Sequence, residues 1–452
     1  MSLEPFMKKA LKVCLSEGAS EVEVFGSRSR TLSLYIDDQK VKNIEEKMDQ
    51  GVAVRVIKGK KVGQSSTTIA NIRDAEKCAQ TACKLADASA PEPVFKTFAR
   101  GSKGAEVPNC YDKAVASMTQ EQLAAMAKDL VASAAANGDV KVPNGVMRAA
   151  VQQHLVLNTN GAETDQRSTL FYVHSGAMTL GSDPGEGTNF AFTPHLDRFD
   201  PASFGQILAQ RAVAAQRAEH YHGKEHLTVI LPPHELAELI EMSASFAMSA
   251  ENVNRKRSPW AKKMGERVAS PKITLIDDPM AENGMCSCAY DDEGTATKAR
   301  VLVDRGILKG FLYDHYNALL AGTVSTGNAL RRMPIDAQNV YRAGLGITPI
   351  NLVVEPGSKT LEQMISGIDR GIMVDELASA ETNPITGAFG LEVRCAYLIE
   401  KGELKGTIDH ALLAGNMFTA LTQVSEVANN VTTFRSCILP SVAFEGMELI
   451  GQ

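Results

Sequence analysis

The chain has 452 residues, 44% of them hydrophobic and 22% charged, a balance that supplies both a core and a wet surface and excludes a largely disordered protein. Its 47 basic and 53 acidic residues leave a formal charge of −6. No basic run is long enough to neutralise a row of phosphates, so a nucleic-acid partner is not expected; Lys58 to Lys61 and Arg255 to Arg257 read as turns or solvated loops. Lys8, Lys9 and Lys12 interrupt the segment where a signal peptide would need continuous apolar residues. Nor does any apolar stretch approach the roughly 20 residues of a membrane span. The expectation is a cytoplasmic protein without a membrane partner, its eight dispersed cysteines reduced.

At roughly 150 residues per domain the length suggests two or three units, and composition divides the chain into three. In the first, residues 1–95, helical spacing of Phe6, Ala10, Leu11 and Cys14 predicts a helix over Glu4 to Leu15, with Gly18 placed to stop it. Four strands follow at Glu21 to Gly26, Thr31 to Ile36, Gly51 to Ile57 and Lys61 to Ser66, on the alternation of β-formers such as Val52, Val54 and Val56. A second helix spans Ile69 to Ala86. The Pro-, Gly- and Ser-rich stretch Ser89 to Asn109 marks an exposed connection. Residues 96–223 read as an αββα unit: a helix capped by Thr119 and Gln122, strands at Val146 to Leu157 and Ser168 to Leu180 around the Asn158 to Gly161 turn, and a helix from Phe204 to Tyr221.

The remainder, residues 224–452, is a large β-rich mixed domain, so the fold class is α+β with an α/β N-terminal domain. A strand at Leu227 to Leu231 leads into a helix at Pro233 to Ser249, and further helices are expected at Thr360 to Asp369 and Gly415 to Ala428. Hairpins turn at Arg305-Gly306 and Lys401-Gly402; their shared pattern leaves an internal duplication and convergent hairpin chemistry both open.

A series of local signatures runs through this last domain: Gly265-Glu-Arg-Val-Ala-Ser270, Asp277-Asp-Pro279, Asp291-Asp-Glu-Gly-Thr295, Gly306-Ile-Leu-Lys-Gly-Phe311, Thr326-Gly-Asn328, Asn383-Pro-Ile-Thr-Gly-Ala-Phe389 and Ala414-Gly-Asn416. In order and spacing they resemble the TldD/PmbA metalloprotease family, also labelled modulators of DNA gyrase. The resemblance implies three domains in paired subunits around an internal cavity. It also implies, in the catalytic subunit, a His-Glu-x-x-x-His helix that with a late cysteine holds Zn²⁺ and leaves one position for water.

This chain departs from that pattern. Pro233-His234-Glu235 begins a near-motif, but Leu239 stands where the second histidine belongs, and His234 and Glu235 read as first-turn residues of a helix. Aligned on the flanking segments, the zinc helix falls on Ile240 to Phe246, which has no histidine; Glu241 lies close to the glutamate position and Cys437 at the late cysteine. No catalytic residue and no metal ligand is therefore assigned, and no cofactor is expected in this chain. The ending Met447 to Gln452 resembles the PmbA-like branch. The resemblance thus implies a non-catalytic subunit supporting proteolysis of unfolded or extended peptides by a zinc-bearing TldD-like partner, as a heterodimer or larger assembly, with a homodimer as the state of the chain alone. The alternatives are a stand-alone metallohydrolase and a binding protein modulating DNA gyrase. His220-Tyr-His222-Gly-Lys-Glu-His226 is read as the polar end of a helix, and Cys286 and Cys288 as packed thiols. The loop Thr326 to Arg332, with glycine and two guanidinium groups, suits peptide carbonyls or carboxylates, which makes Asn328 and Arg331 the expected substrate contacts.

Overall fold

The structure is a computed structural model describing residues 2–107, 110–136, 138–331 and 338–451. Its first half is organised by one long strand. β1 (Glu21–Asp37) pairs antiparallel with β2 (Lys40–Lys58) on one side and with β4 (Val140–Asn158) on the other. With β3 (Lys61–Thr68), β5 (Glu163–Thr179) and β6 (Glu186–Thr193) they form a single sheet in the order β3-β2-β1-β4-β5-β6. The N-terminal and middle segments thus share a continuous ladder. The two strands expected between Glu21 and Ile36 are one, because pairing with β2 and with β4 runs unbroken through Gly26 to Arg30.

Residues two apart share a strand face. Val22 and Val24, with Val52, Val54 and Val56, pack against α1 (Glu4–Ser16) and α2 (Ile72–Ala88). Farther along the same face, Leu32, Leu34 and Ile36 pack against α4 (Gln120–Ala134) and α5 (Pro201–Gln216), after the single turn α3 (Lys113–Ala116). Thr119 and Gln122 form the expected capping box on α4. The opposite face of β1 carries Glu23, Phe25, Ser27, Ser29, Thr31 and Ser33, all buried. Phe25 packs there on Val340 and Tyr341. Gly51 is required at this contact, since a Cβ would lie 2.4 Å from the Tyr341 ring.

The second half begins with β7 (Glu219–His220) and β8 (Lys224–Leu231), then α6 (Pro233–Ile240). Its large sheet closes on itself: β8 pairs with β15 (Arg370–Leu377) and β22 (Val442–Gly451), β22 with β18 (Ala411–Asn416), β18 with β16 (Ala388–Glu400), and β16 with β15. This five-strand ring has β17 (Glu403–Asp409) and β7 appended at one side. A second sheet, in the order β11-β10-β9-β14-β21-β20, holds β9 (Leu275–Asp277), β10 (Arg300–Asp304), β11 (Ile307–Leu308), β14 (Leu352–Val354), β20 (Thr432–Phe434) and β21 (Cys437–Leu439). β12 (Ala329–Leu330) and β13 (Gly346–Ile347) form a small ladder of their own, and β19 (Val424–Val427) pairs with β22. The largest apolar core lies here and takes in Leu236, Leu239 and Ile240 of α6.

Both predicted hairpins form, with Arg305-Gly306 and Lys401-Gly402 at positive φ as a type I′ turn demands. They lie in different sheets. Three expectations are corrected. The middle unit has a third strand, β6, beyond its expected αββα. The helix expected to reach Tyr221 ends at Gln216, because residues 219–220 join the barrel edge. The helix expected over Gly415 to Ala428 is reduced to Met417–Thr422, because Val424–Val427 pairs with β22.

One buried cation ties the halves together. Arg55 on β2 donates to Glu23 Oε1 at 2.6 Å and to Glu293 Oε1 at 2.8 Å, and both carboxylates are 1% exposed. Burial pushes the Glu23 carboxyl up to about 7, against the pull of Arg55. Glu293 belongs to the Asp291-Asp-Glu-Gly-Thr295 signature, in which Asp291 accepts the Glu293, Thr295 and Ala329 amides at 2.8–3.1 Å. Removing one member of a buried ion cluster strands the others. Arg55→Met is expected to destabilise the protein by about 3–5 kcal/mol in urea unfolding; a loss below about 1 kcal/mol would mean that water already screens the cluster.

Candidate functional site

The helix after β8 changes pitch where the family motif would begin. α6 gives way at Glu241 to a widened π-turn, Glu241–Ser245, before a last helical turn at Phe246–Met248. Such turns are rare and gather at functional sites. With Glu241 at the glutamate of His-Glu-x-x-x-His, the two histidine positions fall on Ile240 and Ser245, five residues apart. A π-turn bonds residues five apart and so stacks such a pair on one side. Both are buried, and the Ser245 hydroxyl has no hydrogen-bond partner.

β21 runs beside this turn. Ser436 Oγ donates a short hydrogen bond to Glu241 Oε1, and the Cys437 thiol lies 3.6 Å from the same oxygen. Arg435 Nη1 stands 3.6 Å from Glu238 and 3.9 Å from Glu241. Burial raises the Glu241 carboxyl above its usual range, and burial together with Glu241 holds the Cys437 thiol well above its own. The late cysteine and the glutamate are thus brought together as the resemblance implies. The donor set nevertheless does not fit a His₂Cys zinc site: one protonated thiol and one carboxylate face each other without an imidazole. Among the described residues, the one group of three histidine, cysteine or carboxylate ligands close enough to share an ion is His220, Asp409 and His410, elsewhere in the fold.

A cavity of about 240 Å³ adjoins the site. Tyr172, Phe190, Phe192 and Phe434 supply apolar walls, while Arg394 and Arg435 stand among Glu235, Glu238 and Glu376. Aromatic faces with a few charged groups suit an extended peptide, whose backbone needs flat apolar contact and whose termini and side chains need counter-charges.

His234 and Glu235 occupy the first turn of α6, as expected, and their buried side chains also form part of the wall of this cavity. His234 Nε2 contacts the Asp375 carbonyl oxygen at 3.0 Å, and burial followed by nearby Arg211 lowers the imidazole to about 4. Glu235 Oε1 accepts the Leu377 amide at 3.1 Å, and burial pushes its carboxyl up to about 8. Burial thus favours the uncharged form of Glu235, which weakens the charge–dipole role expected of it.

Asn328 and Arg331 flank the two-residue strand β12 on either side. Asn328 is fully buried; its amide donates to Asp277 Oδ2 at 2.7 Å and to the Thr348 carbonyl at 3.1 Å. Arg331 donates to the Ala343 carbonyl and lies 5.3 Å over the Phe25 ring, while its backbone N–H bonds Asp292 at 2.7 Å. These donors turn to the chain's own acceptors, where the sequence suggested contacts to a peptide. Arg332 lies outside the described residues. Sequence reasoning placed Glu241 and Cys437 but missed the roles of Arg435 and Ser436, which form the turn just before Cys437, and the aromatic wall, whose residues come from separate strands. Of the histidine run, His220 turns to Asp409 at 2.7 Å, whereas His226 Nδ1 reaches the Gly446 carbonyl at 3.2 Å.

Comparisons with known proteins identify the family and the fold. Residues 22–86, 113–216 and 224–451 match PmbA/TldA metallopeptidase domain 1, the central domain and the C-terminal domain of that family. An uncharacterized protein of Methanocaldococcus jannaschii is 29% identical, over 97% of this chain and 99% of its own length. Metalloprotease PmbA of Escherichia coli O157:H7 is 22% identical over 100% and 96%. The crystal structure of TldE from Thermococcus kodakarensis superimposes with a TM-score of 0.91 at 26% identity, covering 99% of this chain and 100% of that one. A Thermotoga maritima structure described as a DNA gyrase modulator gives 0.89 at 25% identity, with coverage of 99% and 100%.

The buried carboxyl at Glu235 makes stability depend on pH. Its folded pKa, about 8, lies above the ordinary 4.5, so the stability it contributes is present below about pH 4.5 and is lost as pH rises toward 8. His234, lowered to about 4 from 6.5, acts oppositely and only below pH 6.5. Glu235→Gln is therefore expected to reduce the loss of stability between pH 6.5 and 8.5 by more than about 1 kcal/mol, read by thermal unfolding. An unchanged pH slope would show that Glu235 ionises without cost.

Proposed function

Because the chain belongs to the PmbA/TldD metallopeptidase family, we propose that it is the non-catalytic, TldE-like subunit of a two-subunit peptidase whose zinc resides in a TldD-like partner. The observation that carries this reading is the pairing of Glu241 with Ser436 and Cys437 beside Ile240 and Ser245: the glutamate and the late cysteine are together at the π-turn, but the two imidazoles are not. A carboxylate without a metal-bound water has no proton to take from it. The name of the Thermococcus kodakarensis relative, TldE, supports the same branch.

In this reading the aromatic cavity beside Arg435 binds or guides an unfolded or extended cytoplasmic peptide toward the partner's zinc. The heterodimer is the working assembly, and a homodimer is its resting alternative. A stand-alone metallohydrolase would draw its ligands from His220, His222, His226 or His234, and these are dispersed: His220 turns to Asp409, His226 to the Gly446 carbonyl and His234 to the Asp375 carbonyl. No observation on this chain favours a role in modulating DNA gyrase.

The chain, purified with a TldD-like partner carrying an intact His-Glu-x-x-x-His helix, is expected to cleave a flexible peptide that neither protein cleaves alone. Glu→Gln in the partner's motif should lower the rate by about 10²–10⁴-fold, while Glu241→Gln and Cys437→Ser in this chain should leave it within about twofold. Cleavage by this chain alone would overturn the proposal.

A further inference from the structure

We propose a divalent-metal site made by His220, Asp409 and His410, suited to a borderline transition ion such as Zn²⁺ or Ni²⁺, which clips the connection between the central and C-terminal domains to the barrel edge. It lies apart from Glu241 and Cys437 and does not depend on the subunit reading.

The backbone assembles the three side chains from two elements. β7 is only two residues long and runs parallel to β17, with Glu219 opposite Ile408 and His220 opposite Asp409. The Tyr221 amide continues the contact by donating to the Asp409 carbonyl at 3.1 Å. His410 occupies the tight turn into β18 with φ +50°, a left-handed conformation that non-glycine residues seldom adopt. That turn folds its ring back until it lies 4.0 Å from the His220 ring, centroid to centroid. Asp409 Oδ1 stands 2.7 Å from His220 Nδ1 and 3.0 Å from His410 Nδ1, and all three donor atoms lie within 4.8 Å of one another.

Two donors bound to one Zn²⁺ at about 2.0–2.2 Å are at most about 4.4 Å apart. Side-chain rotations smaller than an ångström therefore suffice to converge these three. Two imidazoles and a carboxylate are the donor types that such ions prefer, and neutral imidazole is the ligating form near pH 7. Both histidines are exposed, so water can complete the shell. His226 is not part of the site, since its ring lies by Gly446 and Glu448.

The position gives the ion something to do. Residues 217–223 connect the matched central domain to the matched C-terminal domain, and within them a two-residue strand is the barrel's outermost member. Three metal–ligand bonds across it would fasten that connection far more firmly than a two-residue ladder does. The competing account is an ion pair only, in which Asp409 accepts an N–H from each histidine and no metal is needed.

The full-length protein, stripped with a chelator and dialysed into metal-free buffer, is titrated with Zn²⁺ by calorimetry and with Co²⁺ by absorption. One saturable equivalent is expected, with Co²⁺ ligand-field bands but no cobalt–thiolate charge-transfer band. Zn²⁺ should raise the thermal midpoint by a few degrees. His220→Gln and His410→Asn, the latter chosen because asparagine tolerates the left-handed turn, should each weaken binding by more than about tenfold, while His226→Gln leaves it unchanged. The thermal midpoints of the metal-free variants report that they are folded. Absence of saturable binding by the unaltered protein, equal binding by folded His410→Asn, or a thiolate band would each overturn the proposal.

Discussion

Arg55 stands between two carboxylates that water barely reaches, and the seating of the first sheet on the barrel half depends on it. A buried charge must be paired and hydrogen-bonded or it costs several kcal/mol. Glu23 and Glu293 come from opposite halves of the chain, so only one relative placement of the halves satisfies all three groups. The gain is specificity of docking more than net stability, since an apolar cluster of equal volume would hold the halves at least as tightly. Asp291 and Asp292 extend the constraint by binding the backbone of β12, and Asn328 with Asp277 carries it to the second sheet.

That second sheet also contains β21, and β21 presents Ser436 and Cys437 to the π-turn. The barrel positions the other side of the same locus: β8 leads directly into α6, and the pitch change at Glu241 follows eight residues later. A π-turn that stacks positions five apart is an uncommon expenditure of regular helix geometry. Here it stacks an isoleucine and a serine, neither of which can take the place of a zinc-binding imidazole. The surrounding chemistry is correspondingly quiet, with a thiol kept protonated and a carboxyl raised by burial.

How much of this was legible in the sequence follows from what each signal measures. Alternating Val52, Val54 and Val56, the Thr119 and Gln122 cap, and the Arg305-Gly306 and Lys401-Gly402 turns are local, and each appears where its residues place it. β1 was split in two because Ser27 to Arg30 look polar; their pairing with β2 and β4 is a long-range fact that local propensity does not contain. Likewise, His220 to His226 has the polarity of a helix end, but His220 and His226 turn to Asp409 and Gly446, 189 and 220 residues away. Asn328 and Arg331 stand in a polar, glycine-containing loop that reads as open, yet their partners Asp277, Ala343 and Phe25 close it. The Glu241 position was legible because flanking segments fixed it by resemblance, whereas the pitch change itself leaves no composition signature.

The central claim is that the π-turn of this chain holds no catalytic zinc when the protein works with its partner. An anomalous-difference map of the assembled, zinc-loaded pair at the zinc edge tests it most directly. The account predicts a peak on the partner's histidine helix and none within bonding distance of Cys437 Sγ or Glu241; a peak bound to both of those atoms would contradict it.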